Sequence, residues 1–173
     1  MFIRRRVAGL LAASAMSLGL TAAMALPANA ASYFRFEANG FGECLQPSSG
    51  GSGNGAAIVQ EPCDGSEAQN WAPISLGGHS YQFLNQATGA CMDARGSATA
   101  GVPVEQWTCG TISNEKWSYP VSMPSDFGYF VTSEVSGTSN LCLDGTASSA
   151  SPGLQMRIET CGQDGYGEFW IID

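Results

Sequence analysis

Few of the residue types that do chemistry occur here in usable combinations. The only histidine, His79, lies in "SLGGHS", a stretch with no counterpart elsewhere in the chain, so a nucleophile–histidine–acid triad has a single, isolated base to build on. Six cysteines are present, Cys44, Cys63, Cys91, Cys109, Cys142 and Cys161, and no C-x-x-C occurs among them. Zinc and thiol-redox chemistry both lack their ligands in this pattern, and neither a metal nor a cofactor is expected. Fifteen acidic residues would supply the carboxylate pair of a glycosidase. None lies in an evident apolar cleft that would raise one pKa above the other, so no catalytic residue is assigned. What remains is aromatic. The segment "EQWTCGTISNEKWSY", residues 105 to 119, holds Trp107 two residues before a cysteine and Trp117 eight after it. One suits a buried core position; the other is either part of that core or a platform for a ligand.

The N-terminal segment has to be set aside before these residues can be placed. Arg4, Arg5 and Arg6 precede an apolar stretch from Val7 to Leu26, and Ala28-Asn29-Ala30 follows. This order, basic, apolar, then small-x-small, is that of a secretory signal of bacterial style, cleaved after Ala30. Residues 1–30 are therefore read as signal peptide and 31–173 as a single exported domain. No later stretch has the ~20 apolar residues of a membrane span. Cleavage removes three of the seven basic residues and none of the fifteen acids, leaving a net charge of −11 on 143 residues. Such a charge repels phosphate backbones and anionic lipid, so neither nucleic acid nor a membrane is an expected partner.

Cysteine spacing then gives the organisation. Cys44 and Cys63 are 19 residues apart, Cys91 and Cys109 are 18 apart, and Cys142 and Cys161 are 19 apart. A tryptophan follows each second cysteine by eight or nine residues: Trp71, Trp117 and Trp170. Self-similarity at this period marks a repeat architecture, with repeats at about 33–77, 78–124 and 125–173. Each runs from an aromatic stretch ("YFRFE", "YQFLN", "YFVTSEV") through a cysteine and an apolar pair to a Gly/Ser/Ala loop. A short run then leads to the second cysteine, and a polar turn to the tryptophan. The runs "AAIVQEP", "VPVEQWT" and "LQMRIET" read as strands, and no segment of 31–173 keeps a helical apolar stripe for three turns. About four strands per repeat, some twelve in all, predict an all-β body in which three units bury their apolar faces together. Trp71, Trp117 and Trp170 are expected in that shared core. An even cysteine count in an exported chain reads as disulfides. Of the 15 possible pairings, repeat symmetry selects Cys44–Cys63, Cys91–Cys109 and Cys142–Cys161.

These residues resemble the ricin B-type lectin family. C-[LM]-D at 91–93 and 142–144, the apolar strand ending in "EQWTC" and N-x-x-W at 114–117 carry the likeness, within three aligned repeats that span about residues 33 to 173. The resemblance implies a β-trefoil of three homologous four-stranded repeats with pseudo-three-fold symmetry, in which each repeat can hold a shallow sugar site. The family's Q-x-W signature is kept in "QNW" at 69–71, whereas "EKW" at 115–117 and "EFW" at 168–170 carry glutamate instead. Ionised glutamate accepts but does not donate, so the two structural hydrogen bonds are expected to be rewired or made through water. Carried over by position, the sugar-site pattern is complete in the middle repeat: Asp93, Glu105, Trp107 and Asn114, with Glu105 where glutamine is common. The first repeat offers Gln46, Val59, Glu61 and Ala68. The third offers Asp144, Arg157, Glu159 and Gly167.

The chemistry of these types suits a sugar: an indole covers its C–H face, a carboxylate takes paired hydroxyls, and an amide both donates and accepts. Each residue also has a plainer reading. Asp93 and Asp144 can bond backbone amides in the turn after the cysteine, Glu105 can be one more solvated acid, and Asn114 can simply shape its turn. Strand alternation, with Val102 and Val104 inward, puts Gln106 in and Glu105 and Trp107 out, which favours Trp107 as a platform. The expected function is a secreted, monomeric, non-catalytic carbohydrate-binding protein. Its preference for galactose-like or xylose-like units is implied by the resemblance alone. The alternatives are a protein-binding trefoil, inhibitor or toxin-like partner, and a degenerate domain that binds nothing.

Overall fold

The computed structural model describes residues 32–38, 41–48, 51–96, 98–118, 128–135, 137, 140–145, 151–163, 168 and 170–172. Residues 1–30 and Gly167 lie outside them. The short apolar runs become strands because each is bounded by turns that glycine makes easy, as at Gly55, Gly101 and Gly153, all with φ between 79° and 86°, a region most side chains avoid. The first set of strands is β1 (Phe36–Ala38), β2 (Glu43–Pro47), β3 (Ala56–Pro62) and β4 (Trp71–Gly77). The second is β5 (Ser80–Asn85), β6 (Cys91–Asp93), β7 (Val102–Pro103), β8 (Glu105–Trp107) and β9 (Trp117–Ser118). The third is β10 (Thr132–Ser133), β11 (Leu141–Asp144), β12 (Arg157–Thr160) and β13 (Trp170–Ile172). Single 3-10 turns, Glu67–Gln69 and Ser113–Glu115, precede Trp71 and Trp117.

All thirteen strands belong to one antiparallel sheet. The path runs from β13 through β1, β2, β3, β8, β6, β5, β9, β10, β11 and β12 to β7, with β4 paired to β5. It ends on β7, whose chain neighbour β8 lies in its middle, so the sheet returns on itself. The thirteenth strand arises because "VPVEQW" splits at Val104. There the backbone leaves its neighbour and turns to the other repeats. Ile58 N donates to Val104 O (3.0 Å), Val104 N to Met156 O (2.8 Å), and Met156 N to Ile58 O (2.8 Å). These three residues each stand five before the second cysteine of their repeat and are fully buried. A second ring repeats the pattern from the glycine turns: Gly55 N to Gln106 O, Gly101 N to Ile158 O, and Gly153 N to Gln60 O, at 2.8 to 2.9 Å. The three-fold β-trefoil arrangement is thus written into backbone bonds that pass from each repeat to the next.

The core is a single cluster holding Trp71, Trp117 and Trp170 with Phe36, Leu45, Phe83, Met92, Leu143 and their neighbours. Each indole N–H finds an equivalent carbonyl, that of the residue after the repeat's first cysteine: Leu45, Met92 and Leu143, all at 3.0 Å. A buried indole needs such a partner for its polar handle. The disulfides are Cys44–Cys63, Cys91–Cys109 and Cys142–Cys161, with Cα atoms 4.9 to 5.0 Å apart.

Candidate functional site

Asp93, Glu105, Trp107 and Asn114 meet at one cavity of about 570 Å³. Asp93 ends β6, and Glu105 and Trp107 lie on β8, with Asp93 directly across from Glu105. Asn114 comes from the 3-10 turn that leads to Trp117. Asp93 is held on both oxygens: Oδ1 accepts the Arg95 amide at 2.6 Å, and Oδ2 accepts Asn114 Nδ2 at 2.5 Å. Asp93 therefore does bond the backbone of its own turn. A carboxylate offers about four lone-pair directions, so two remain for a ligand on a group whose orientation is fixed. Asn114 is tied down in turn by its own carbonyl, which accepts the Ala94 N–H at 2.8 Å.

Trp107 faces outward, 43% exposed. Glu105 differs from the alternation-based expectation, because it is 6% exposed rather than turned to solvent. The break at Val104 offsets the alternation, so Val104, Glu105 and Gln106 are all buried in succession. Glu105 forms the cavity floor beside Trp107 and pairs with Arg95, whose Nη1 lies 2.9 Å from Oε1.

Five lining residues fall outside the sequence-derived set: Asn54, Gly55, Arg95, Gly96 and Ile112. Arg95 and Gly96 follow Asp93 directly in "CMDARG", a proximity that could have marked them. Ile112, half exposed, adds an apolar shelf near Trp107. Asn54 and Gly55 come from the first repeat's glycine loop, which no spacing within the middle repeat reveals. Asn54 Oδ1 accepts the Thr108 N–H at 2.8 Å and the Thr108 hydroxyl at 3.0 Å. Gln106 Nε2 donates to Gly51 O and Gly53 O, both at 3.0 Å. At Gly55 a Cβ would stand 3.8 Å from both Glu105 Oε2 and Trp107 Cζ3, so glycine leaves the indole edge open.

Glu115, one of the two signature glutamates, follows Asn114 in the chain, is fully buried and feels the charge of Asp93. The bonds are rewired through direct contacts. In the first repeat Gln69 Oε1 accepts the Asp64 and Gly65 amides, and its Nε2 donates to Pro62 O. Glu115 Oε2 keeps the acceptor role, taking the Gly110 N–H at 2.6 Å. The missing donor is supplied from β5: Gln82 Nε2 donates to Gly110 O at 2.5 Å and to Glu115 Oε2 at 2.7 Å. Glu168 likewise accepts the Gly162 and Gln163 amides. Burial pushes the Glu115 carboxyl above its ordinary value; the Gly110 amide pulls it down, the Asp93 charge raises it, and Gln82 lowers it again. Its Oε1 is buried with no hydrogen-bond partner among the described residues.

The other two repeats place different groups in the same slots. The first has a cavity of about 450 Å³ bordered by Gln46 and Ala68, with neither an aromatic ring nor a carboxylate in its lining. Gln46 Oε1 is engaged by Gln69 Nε2. Val59 is buried in β3, and a Cβ at Gly153 would stand 3.9 Å from Glu61 Oε1. In the third repeat Asp144 is buried and Arg157 half-buried. A Cβ at Gly101 would lie 3.8 Å from Glu159 Oε1, as one at Gly55 would from Trp107. Glutamates thus stand where the middle repeat has its indole. His79 sits exposed in the turn between β4 and β5.

The chain belongs to the family described as ricin-type beta-trefoil lectin domain-like, which matches residues 25–107 and 74–153. Among solved structures, ThreeFoil, a designed 3-fold symmetric protein, is similar with a TM-score of 0.72 at 22% identity, over 81% of this chain and 96% of that one. An exo-beta-1,3-galactanase from Clostridium thermocellum is similar with a TM-score of 0.72 and 22% identity, over 82% of this chain and 30% of that one. The Macrolepiota procera ricin B-like lectin in complex with lactose gives 0.68 at 15% identity, over 83% of this chain and 95% of that one. At these identities the likeness shows the shared fold alone. No curated protein matches the chain.

Proposed function

We propose that this protein is an exported, non-catalytic carbohydrate-binding protein whose sugar seat is the middle-repeat cavity. The observation that carries the reading is the convergence of an exposed indole, Trp107, with two buried carboxylates, Asp93 and Glu105, and the amide of Asn114 around one cavity. A few fixed polar groups beside an apolar wall is the usual build of a small-molecule site. The sugar's C–H face lies on Trp107, vicinal hydroxyls donate to the remaining lone pairs of Asp93, and a further hydroxyl reaches Glu105. Residues 1–30 are a signal peptide, removed on export, and 31–173 form the working domain of three repeats. Galactose-like or xylose-like units are the first candidates. Family membership supports the sugar reading, and so does the lactose held by the Macrolepiota procera lectin.

The test is a glycan array probed with the exported, disulfide-intact protein beside Trp107→Ala. Loss of a well-placed aromatic anchor is expected to weaken binding by about tenfold or more, with thermal stability little changed because Trp107 is outside the core. A blank array from folded wild-type protein would overturn the sugar reading in favour of a protein partner.

A further inference from the structure

The cavity already holds a cation, and that cation belongs to the chain. Arg95 Nη1 sits 2.9 Å from Glu105 Oε1, yet the Arg95 side chain is 61% exposed while that of Glu105 is 8% exposed. Glu105 is thus a buried carboxylate whose charge is met by a group standing mostly in water. Its second oxygen, Oε2, has no hydrogen bond among the described residues, and it points to the side of the cavity that Gly55 leaves open, close to the edge of Trp107. Arg95 reaches this position from a left-handed backbone, φ 47°, which residues with a Cβ seldom adopt. Among the described residues, its guanidinium bonds to Glu105 alone.

The surroundings decide which ligand charge would be welcome. Asp93 lies across from Glu105 and is buried, and the fully buried Glu115 interacts with the Asp93 charge, in a chain of net charge −8. An anionic ligand would meet two carboxylates, Asp93 and Glu105, and one guanidinium that is already committed. A cation meets the opposite: a carboxylate oxygen with no protein hydrogen bond among the described residues, an aromatic edge and face, and a negative field around them. Releasing Arg95 to solvent costs little, because an ion pair with an exposed partner is weak and the freed guanidinium regains its hydration.

We propose that this site selects sugars bearing a free ammonium group, with the ammonium replacing Arg95 on Glu105 while the ring lies on Trp107. The proposal rests on the sugar-seat reading and names its ligand class: amino sugars in the un-acetylated form. A glutamine in place of Glu105 would present an amide to a hydroxyl or an acetamido group; the carboxylate accepts only, so the ligand has to donate.

Calorimetric titration of the exported protein tests this with matched probes. They are galactosamine, N-acetylgalactosamine, galactose and galacturonic acid, together with the β-1,4-linked glucosamine tetramer and its N-acetylated form. The free amines are expected to bind about tenfold tighter than their neutral counterparts, the scale of one charge-assisted contact, and to lose that margin as salt rises. Glu105→Gln should erase the margin, bringing amine and neutral probes to equal affinity whatever the new neutral baseline. Arg95→Gly, which also relieves the positive φ, should tighten amine binding. Trp107-dependent binding that is equal for amine and neutral probes would overturn the proposal and leave the sugar seat standing. Preference for galacturonic acid would overturn it and make Arg95 an anion receptor. Absence of binding to every probe by folded protein would remove the sugar seat as well.

Discussion

Glu115 shows at residue scale how a departure from a motif is absorbed. The signature glutamine of the first repeat accepts two amides and donates to one carbonyl; in the middle repeat those two jobs are divided between Glu115 and Gln82. The cost is a buried carboxylate with one unpartnered oxygen, whose pKa burial raises above 4.5. A group that holds its proton more tightly in the folded state contributes stability that is fully present below its unfolded value and is lost as pH rises through the folded one. Glu115→Gln keeps the acceptor for the Gly110 amide and cannot ionise. It is expected to match the wild type near pH 4 and to exceed it at pH 7, by a Tm shift on the order of 2–4 °C. Melting curves between these limits check this, and a lower Tm for the variant at pH 7 would refute it. The substitution itself was legible in "EKW", but its compensation was not, since Gln82 lies 33 residues away. The outward face of Trp107 followed from alternation. The burial of Glu105 did not, because Val104 leaves the strand for a bond to another repeat that no local pattern encodes.

The same gap between local and long-range information governs the elements. Each Gly/Ser loop read as a feature of its own repeat, stapled by its own disulfide. In the structure the first repeat's loop borders the middle repeat's cavity, because β3 pairs with β8, setting Ala56 opposite Gln106 and Ala57 opposite Glu105. Strand runs and turns were visible from β-branched residues and glycines; which strand lies beside which depends on closing the trefoil. The side chain that fastens the loop is Gln106, fully buried, with its amide on two loop carbonyls. Gln106→Ala leaves both carbonyls without their donor, an expected loss of about 1–3 kcal/mol. It should also weaken sugar binding, although Gln106 is not among the residues lining the cavity, since Gly55 and Asn54 would no longer be held against β8. Denaturant melts and titration of the same sample measure both effects. Full affinity in a destabilised variant would show that the loop is not part of the seat.

Over the whole molecule, three-fold symmetry was the most legible property, since it is carried by things a sequence displays directly: cysteine intervals, tryptophans and glycine turns. The backbone rings through Ile58, Val104 and Met156 and through Gly55, Gly101 and Gly153 are its physical form, and they demand only shape and burial from the residues they join. The sites make no such demand, so the repeats are free to diverge where ligands would sit. The slot two residues before the second cysteine holds an indole once and a glutamate twice, at Glu61 and Glu159. A glutamate there offers no flat apolar face, and the first repeat's cavity has no carboxylate in its lining to take paired hydroxyls. Symmetry of fold with asymmetry of surface is what the proposed function needs if only the middle repeat is to seat a sugar. On the proposed reading of one seat on a monomer, nothing is gained from effective concentration, whereas a second seat would multiply apparent affinity by orders of magnitude on a glycan-coated surface. Titration should therefore give a stoichiometry of one sugar per chain, and the protein should fail to agglutinate cells whose glycans it binds. Clumping by a sample shown to be monomeric would mean that a glutamate-bearing repeat also binds, and a Trp107→Ala variant that still binds sugar would locate the activity in those repeats.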